Sequence, residues 1–263
     1  MFEDFTLVIQ GPVHRNINTM ALLHPNVNTI ISTWEDPTWT HPTVREYLEP
    51  LRRENLQIIV SKLPKKEKMD KMFNKQNRYY QFLSTFKGLQ WVQTKYSIKV
   101  RADEYYSNLE PLMMTFLQDT NKLVTNDIFF RRSEYLRYHP SDHIICGQTE
   151  KMRRLFELLM YDCQFNHDML KFAPFDQHDF FLFVEQQIGI KYIEMHEKVD
   201  QYPYKIPKDF GEVKRLMIKY FDIVNNSMLG DFYAVANSEG KTYINSYNYY
   251  DPAKDIQMSL EEL

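Results

Sequence analysis

The chain has 263 residues, above the usual single-domain span of roughly 100–200 but within reach of one α/β domain. Hydrophobic residues make up 43%, which excludes a disordered chain, and a formal charge of −3 lacks the basic excess of a general nucleic-acid binder. Two cysteines, Cys146 and Cys163, cannot frame a disulfide-stapled fold, and seven glycines compose neither G-x-G-x-x-G nor G-x-x-x-x-G-K-[ST], the two glycine loops that cradle phosphates.

The acidic opening Met1-Phe2-Glu3-Asp4-Phe5 enters an apolar run at once and reads as no secretory signal. Residues 5–9, Phe-Thr-Leu-Val-Ile, predict a buried strand, followed by strands over 28–33, 56–60 and 96–100. Helical periodicity predicts helices over 43–55 and 72–93. Strand and helix in alternation predict an α/β fold with a mostly parallel central sheet flanked by helices. Residues 123–125 with 128–130 predict a further strand or hairpin. The C-terminal part is expected to be mainly helical, over 149–161, 177–187 and 210–223, with a short strand at 191–194. The polar, tyrosine-rich tail after Asn237 carries no predicted element. The run from Lys65 to Lys71 reads as a solvated loop, with a basic lid over a phosphate-bearing ligand as the alternative. No apolar run approaches the roughly 18 residues that span a bilayer. A cytoplasmic protein is expected, touching a membrane at most peripherally.

Open parallel sheets bind ligands beyond the carboxyl ends of their strands. Here those ends read Gln10-Gly11-Pro12, Ser32-Thr33-Trp34-Glu35-Asp36 and Arg101-Ala102-Asp103-Glu104-Tyr105. Gly11 lets a ligand approach the backbone or simply makes a turn. Trp34 offers a flat face to a base or sugar ring, or joins the core. Asp103 reads in two ways. It is a carboxylate placed to hold a divalent ion, or the partner of Arg101 two residues earlier on the same strand face. Glu104 could serve as a second ligand, but it is adjacent and is expected to point the other way. On the long helix, Asn74, Asn77, Gln81, Ser84 and Gly88 form one neutral polar stripe suited to hydrogen bonding, with Arg78 beside it for a phosphate. Asp142-His143 reads as a capping or turn pair. Asp176 and Asp179 lie one helical turn apart, Asp176 as an N-cap or as a general base at a cleft mouth.

Taken in order, Leu7-Val8-Ile9-Gln10-Gly11-Pro12, Ile31-Ser32-Thr33-Trp34, Asn77-Arg78 with Ser84-Thr85 and Gly88-Leu89, then Lys99-Val100-Arg101-Ala102-Asp103 resemble the WavE-type lipopolysaccharide synthesis family. Ser141-Asp142-His143-Ile144, Gly147 and Asp176-Gln177 extend the likeness, which runs over roughly residues 6 to 187. The resemblance implies a glycosyltransferase with a GT-A-like nucleotide-sugar-binding fold, acting with manganese or magnesium. It implies Asp103 as the metal carboxylate. Gln10, Gly11, Trp34, Asn77, Arg78, Gln81 and Arg101 would surround the donor. Asp142 and His143 would meet a glycan or glycolipid acceptor, and Asp176 or Asp179 would act as base. Two departures stand out. GT-A enzymes commonly carry Asp-x-Asp, whereas this chain reads Asp103-Glu104-Tyr105, and Asp176 stands where the family has glutamate.

One domain over 1–263 is therefore expected, with a nucleotide-sugar-binding half over 1–108, an acceptor and catalytic half over 109–200, and an extension over 201–263 of no assigned role. Competing readings are a metal-dependent nucleotidyltransferase or phosphohydrolase, which would need two or more clustered acids, and a non-catalytic glycan- or nucleotide-binding module using Trp34, Trp39 and the tyrosines.

Overall fold

The computed structural model describes residues 2–13, 16–35, 43–62, 75–126, 143–164, 220–236 and 241–244. Strand β1 (Phe5–Gln10) is buried at every position, as expected of a strand covered on both faces. It pairs in parallel with β2 (Asn28–Trp34) on one side and β4 (Tyr96–Arg101) on the other. Strand β3 (Leu56–Ser61) extends the parallel set beyond β2. Beyond β4 the strand direction changes. Strand β7 (Ile144–Gln148) runs antiparallel to β4 and to β6 (Leu123–Asn126), and β8 (Phe221–Val224) runs parallel to β6. The sheet order is β3-β2-β1-β4-β7-β6-β8, with four of its six pairings parallel. A smaller antiparallel sheet joins β5 (Glu104–Tyr106), β9 (Phe232–Ala236) and β10 (Lys241–Ile244).

Alternation along the strands sends side chains into two cores. Val8, Ile30 and Ile145 meet α3 (Lys75–Leu89) and α5 (Thr149–Gln164) through Phe82, Phe86, Leu155 and Phe156. On the other face, Leu7, Ile9, Ile31 and Ile98 meet α1 (Asn16–Leu23), α2 (Val44–Leu48) and α4 (Glu110–Gln118). Among the described residues, no helix is long and apolar enough to cross a membrane.

The four leading strands and the mostly parallel sheet agree with expectation. Three elements differ. The helix expected over 43–55 stops early. A Thr43–Glu46 capping box starts α2, but Pro50 has no N–H to continue it, and Glu49–Leu51 form a 3-10 turn instead. The helix expected to run to 223 ends, in its described part, as β8. Phe221, Ile223 and Val224 are buried while Asp222 turns outward to Lys122, 2.9 Å away. So short an apolar run fits either period, and pairing with β6 decides it. The tail after Asn237 also supplies a strand, β10. Expectations for 63–74, 127–142 and 165–219, including the lysine-rich run, the strand at 128–130, the helix at 177–187 and the strand at 191–194, lie outside the described residues.

Gly88 sets how closely α3 lies on the sheet. A Cβ there would meet Val8 Cγ1 at 2.5 Å and Ser32 Cβ at 3.0 Å. Val8 is β-branched and fully buried, so it cannot rotate away. Gly88→Ala is therefore expected to destabilise the protein by about 1–2 kcal/mol despite alanine's better helix propensity. Urea unfolding checks this; a variant as stable as the wild type would mean that the helix can lift from the sheet at little cost.

Candidate functional site

The carboxyl ends of β1, β2 and β4 open into a cleft of about 340 Å³ lined by Gln10, Gly11, Pro12, Trp34, Tyr80, Gln81, Arg101 and Asp103. That volume falls within the ~300–1,000 Å³ typical of small-ligand clefts. A larger hollow of about 450 Å³ lies where the chain enters β4 and α5, lined by Lys95, Thr149 and Arg153 among others. It sits at the amino end of β4, away from the strand-end residues.

Backbone geometry brings these side chains together. Gly11 has φ of +130°, a conformation that favours glycine, and its N–H donates to Ser32 O at 3.2 Å. Gln10 O accepts from Ala102 N at 2.8 Å, tying the end of β1 to the turn after β4. Ser84 and Gly88, in the described part of the neutral stripe of α3, face the sheet. Ser84 Oγ donates to Gln10 Oε1 at 2.7 Å, and Ser32 Oγ donates to Ser84 O at 2.7 Å. Gln10 is only 3% exposed, with its amide oxygen held in place by that serine. Trp34 packs on Tyr80 with ring centroids 5.7 Å apart and planes tilted by 44°.

Across the cleft, on the β4 side, Arg101 grips Asp103. Nε donates to Oδ1 at 3.0 Å and Nη2 to Oδ2 at 2.7 Å. Burial acts to raise the Asp103 pKa, but the Arg101 charge and hydrogen bonds, helped by His143, hold it below its ordinary 3.8. The turn that carries Asp103 is fixed from α1, where Asn16 Nδ2 donates to Asp103 O at 2.7 Å.

Glu104 points away from the cleft, as its adjacency to Asp103 suggests. It is fully buried, accepts from His143 Nδ1, and lies 3.2 Å from Arg101 Nε. Tyr106 Oη donates to Glu104 Oε2 at 3.1 Å and accepts from Asn126 Nδ2 at 3.3 Å; Asn126 in turn donates to Asn226 Oδ1 at 2.9 Å. Burial, then the Glu104 carboxylate, push the Tyr106 hydroxyl well above its ordinary 10.0, so it remains a proton donor.

The structure thus gathers Gln10, Gly11, Trp34, Gln81, Arg101 and Asp103 around one cleft. Asn77 and Arg78 lie in the first turn of α3, four and three residues before Gln81, and their side chains are not among those described. Asn74, Asp142, Asp176 and Asp179 lie outside the described residues. His143 differs from expectation. It is buried against Glu104. The reason is electrostatic: a carboxylate with no access to water needs donors, and this imidazole supplies one. Sequence reasoning missed the Glu104–Tyr106–Asn126 chain. Its one signal was a glutamate two residues before a tyrosine, which matters only once both prove buried. Lys99, to which the sequence reading gives no role, is fully buried one pleat before Arg101 on the same strand face.

The fit of a divalent ion can be judged from these donors. Among the described residues, no group of three or more His, Cys, Asp or Glu side chains could hold a metal. The one carboxylate that lines the cleft has both oxygens engaged by Arg101. Among the described residues the cleft therefore offers an ion one carboxylate, which Arg101 now occupies.

A model of the WavE lipopolysaccharide synthesis family matches residues 5–230. With so much of its length matched, the chain belongs to that family. No curated protein sequence matches it. Among solved structures it is similar to the galactosyltransferase LgtC in complex with donor and acceptor sugar analogs, at 12% identity and a TM-score of 0.43, over 84% of this chain and 73% of that one. An active-site mutant of LgtC gives 13% and 0.42 over 84% and 72%. HddC from Yersinia pseudotuberculosis gives 7% and 0.35 over 57% and 79%.

The depressed Asp103 pKa sets a pH dependence. A carboxyl whose folded pKa is lowered stabilises the fold fully above its unfolded value and loses that contribution as the pH falls through the folded one. Asp103→Asn is expected to melt below the wild type at pH 7, and the two melting temperatures should converge below about pH 4. A gap that stays constant into acid would show that the Arg101–Asp103 pair adds nothing through charge.

Proposed function

We propose that the protein is a glycosyltransferase that moves a sugar from a nucleotide-sugar donor to a glycan or glycolipid acceptor, working in the cytoplasm. The observation that carries this reading is the cleft itself. A flat aromatic pair, an ordered amide, a glycine-lined backbone approach and an arginine converge at the carboxyl ends of three parallel strands. Membership of a lipopolysaccharide synthesis family supports it, since such synthesis builds glycan.

In this reading Trp34 and Tyr80 receive the base or a sugar ring, Gln10 and Gln81 hydrogen-bond the donor, and Arg101 meets the diphosphate. The leaving nucleotide carries negative charge, and a guanidinium stabilises it as charge builds in the transition state. Asn77 and Arg78 join the donor site, Asp142 joins the acceptor site, and Asp176 or Asp179 takes the proton of the attacking hydroxyl. Manganese or magnesium enters the proposal through Asp103 alone. An ion there would share or displace Arg101 and draw its remaining ligands from water, the diphosphate or residues outside the described set. When bound, such an ion neutralises the diphosphate.

Titration with a panel of nucleotide sugars, with manganese and then with EDTA, tests both parts. At least one nucleotide sugar is expected to bind and to be slowly hydrolysed without acceptor, and Trp34→Ala should weaken its binding roughly tenfold or more, the scale of one base–aromatic stack. Manganese is expected to tighten binding in the wild type but not in Asp103→Ala. Affinity unchanged by EDTA would remove the ion and leave neutralisation to Arg101. Binding of free glycan only, with no nucleotide sugar bound, would instead support a non-catalytic module.

The base is tested separately. Replacing the true base with asparagine is expected to cut turnover roughly 10²–10⁴-fold with donor affinity nearly intact. If Asp176→Asn and Asp179→Asn both keep full transfer activity, neither is the base and Asp142 becomes the candidate.

A further inference from the structure

Asp103 is one anchor for Arg101. Its two hydrogen bonds hold Arg101 from the cleft side, where its side chain is 25% exposed and that of Arg101 31%, so this half of the contact still meets solvent. Glu104 is different. It is 0% exposed, and its two oxygens meet Arg101 Nε, the Tyr106 hydroxyl and His143 Nδ1. These contacts fix the carboxylate to three places in the fold. Tyr106 lies two residues along β5, His143 stands just before β7, and Asn126 on β6 supports Tyr106 in turn. Asp103 thus takes the Nε–Nη2 edge of a guanidinium that lines the cleft, and the buried Glu104 meets the same Nε from the core side.

We infer that Glu104, anchored by His143, is a positioning residue that holds the Arg101 guanidinium in place for the diphosphate of the ligand. This inference rests on the reading of the cleft as a nucleotide-sugar site. Glu104 touches no ligand and acts through Arg101. His143 acts one step further back, by keeping Glu104 turned inward.

A double-mutant cycle tests it, with calorimetric titration of uridine, guanosine, cytidine and adenosine diphosphates and a melting curve for every variant. The tightest binder of the four serves as the probe. Glu104→Gln keeps the shape and removes the charge; it is expected to weaken diphosphate binding about tenfold. Arg101→Gln should weaken it at least as much, and the double variant should bind no more weakly than Arg101→Gln alone, because Glu104 has nothing left to position. His143→Ala is expected to mimic Glu104→Gln, whereas His143→Asn, whose amide can stand in for Nδ1–H, should restore affinity to within about twofold of wild type. The His143 pair, crossed with Arg101→Gln, supplies the same cycle should Glu104→Gln fail to fold.

Equal losses from Glu104→Gln in the wild-type and Arg101→Gln backgrounds would overturn the inference, since Glu104 would then be acting on the fold in general. Wild-type affinity in Glu104→Gln would overturn it too. In either case wild-type binding of a nucleoside diphosphate leaves the donor-site reading standing. A wild type that binds none of the four overturns that reading and this inference with it.

Discussion

Helix α3 can lie against β1 and β2 only because its sheet-facing side carries almost no bulk. Gly88 leaves a Val8 methyl where a Cβ would go, and one turn earlier Ser84 reaches Gln10 directly. That contact distance controls the rest. Phe82 and Phe86 flank the small stripe and fill the space between helix, sheet and α5, closing one core. The same approach brings Tyr80 and Gln81 over the ends of β1 and β2, so they line a cleft rather than stand in solvent. The stripe was read from sequence as hydrogen-bonding equipment. Its described part has two functions along its length: close packing at Gly88, and polar contact at Ser84 and Gln81.

The second constraint is polar. The turn after β4 holds Arg101, Asp103 and Glu104 within four residues, two of them partly exposed and one wholly buried. A buried carboxylate is tolerable only with its oxygens engaged, and a half-satisfied network costs more than an apolar core. The donors come from distant parts of the chain: His143 from the start of β7, Tyr106 from β5, with Asn126 and Asn226 behind them. The small sheet is fastened to the large one through this network. Its position explains why Asp103 and Glu104, neighbours in sequence, have different environments. One faces the cleft and the other faces the core.

Much of this was legible in the sequence, for identifiable reasons. Strands β1, β2 and β4 show as short apolar runs because central strands of such a sheet are buried on both faces, and the edge strand β3 shows through its β-branched residues although most of it is only half-buried. The cleft residues followed from the rule that such sheets bind ligands at their carboxyl ends. Other elements gave no comparable signal. Helix α1 mixes asparagines with apolar residues and lacks a clear stripe, and its place is set by tertiary contacts such as Asn16 with the Asp103 carbonyl. Strand β5 is three residues long, and β8 is too short to separate a helical from a strand period. His143 reads as an acceptor contact because nothing local distinguishes an exposed histidine from one that satisfies a buried acid 39 residues away.

The strand order also divides the cleft into two chemistries. Because β1 lies between β2 and β4, the Trp34–Tyr80 pair stands on one side of Gly11 and the Arg101–Asp103 pair on the other. Gly11 marks the centre, in a backbone conformation that side-chain-bearing residues rarely adopt, with Ala102 Cβ 3.3 Å from where its own Cβ would lie. Besides the two pairs, the described lining is Gln10, Gly11, Pro12 and Gln81, so a ligand that crosses from the aromatic side to the charged side passes uncharged groups. An apolar ligand would leave Arg101 and Asp103 without use, and a simple anion would leave the aromatic pair without use. A ligand that used both sides would carry a flat ring at one end and negative charge a short distance away, the pattern of the proposed nucleotide-sugar donor.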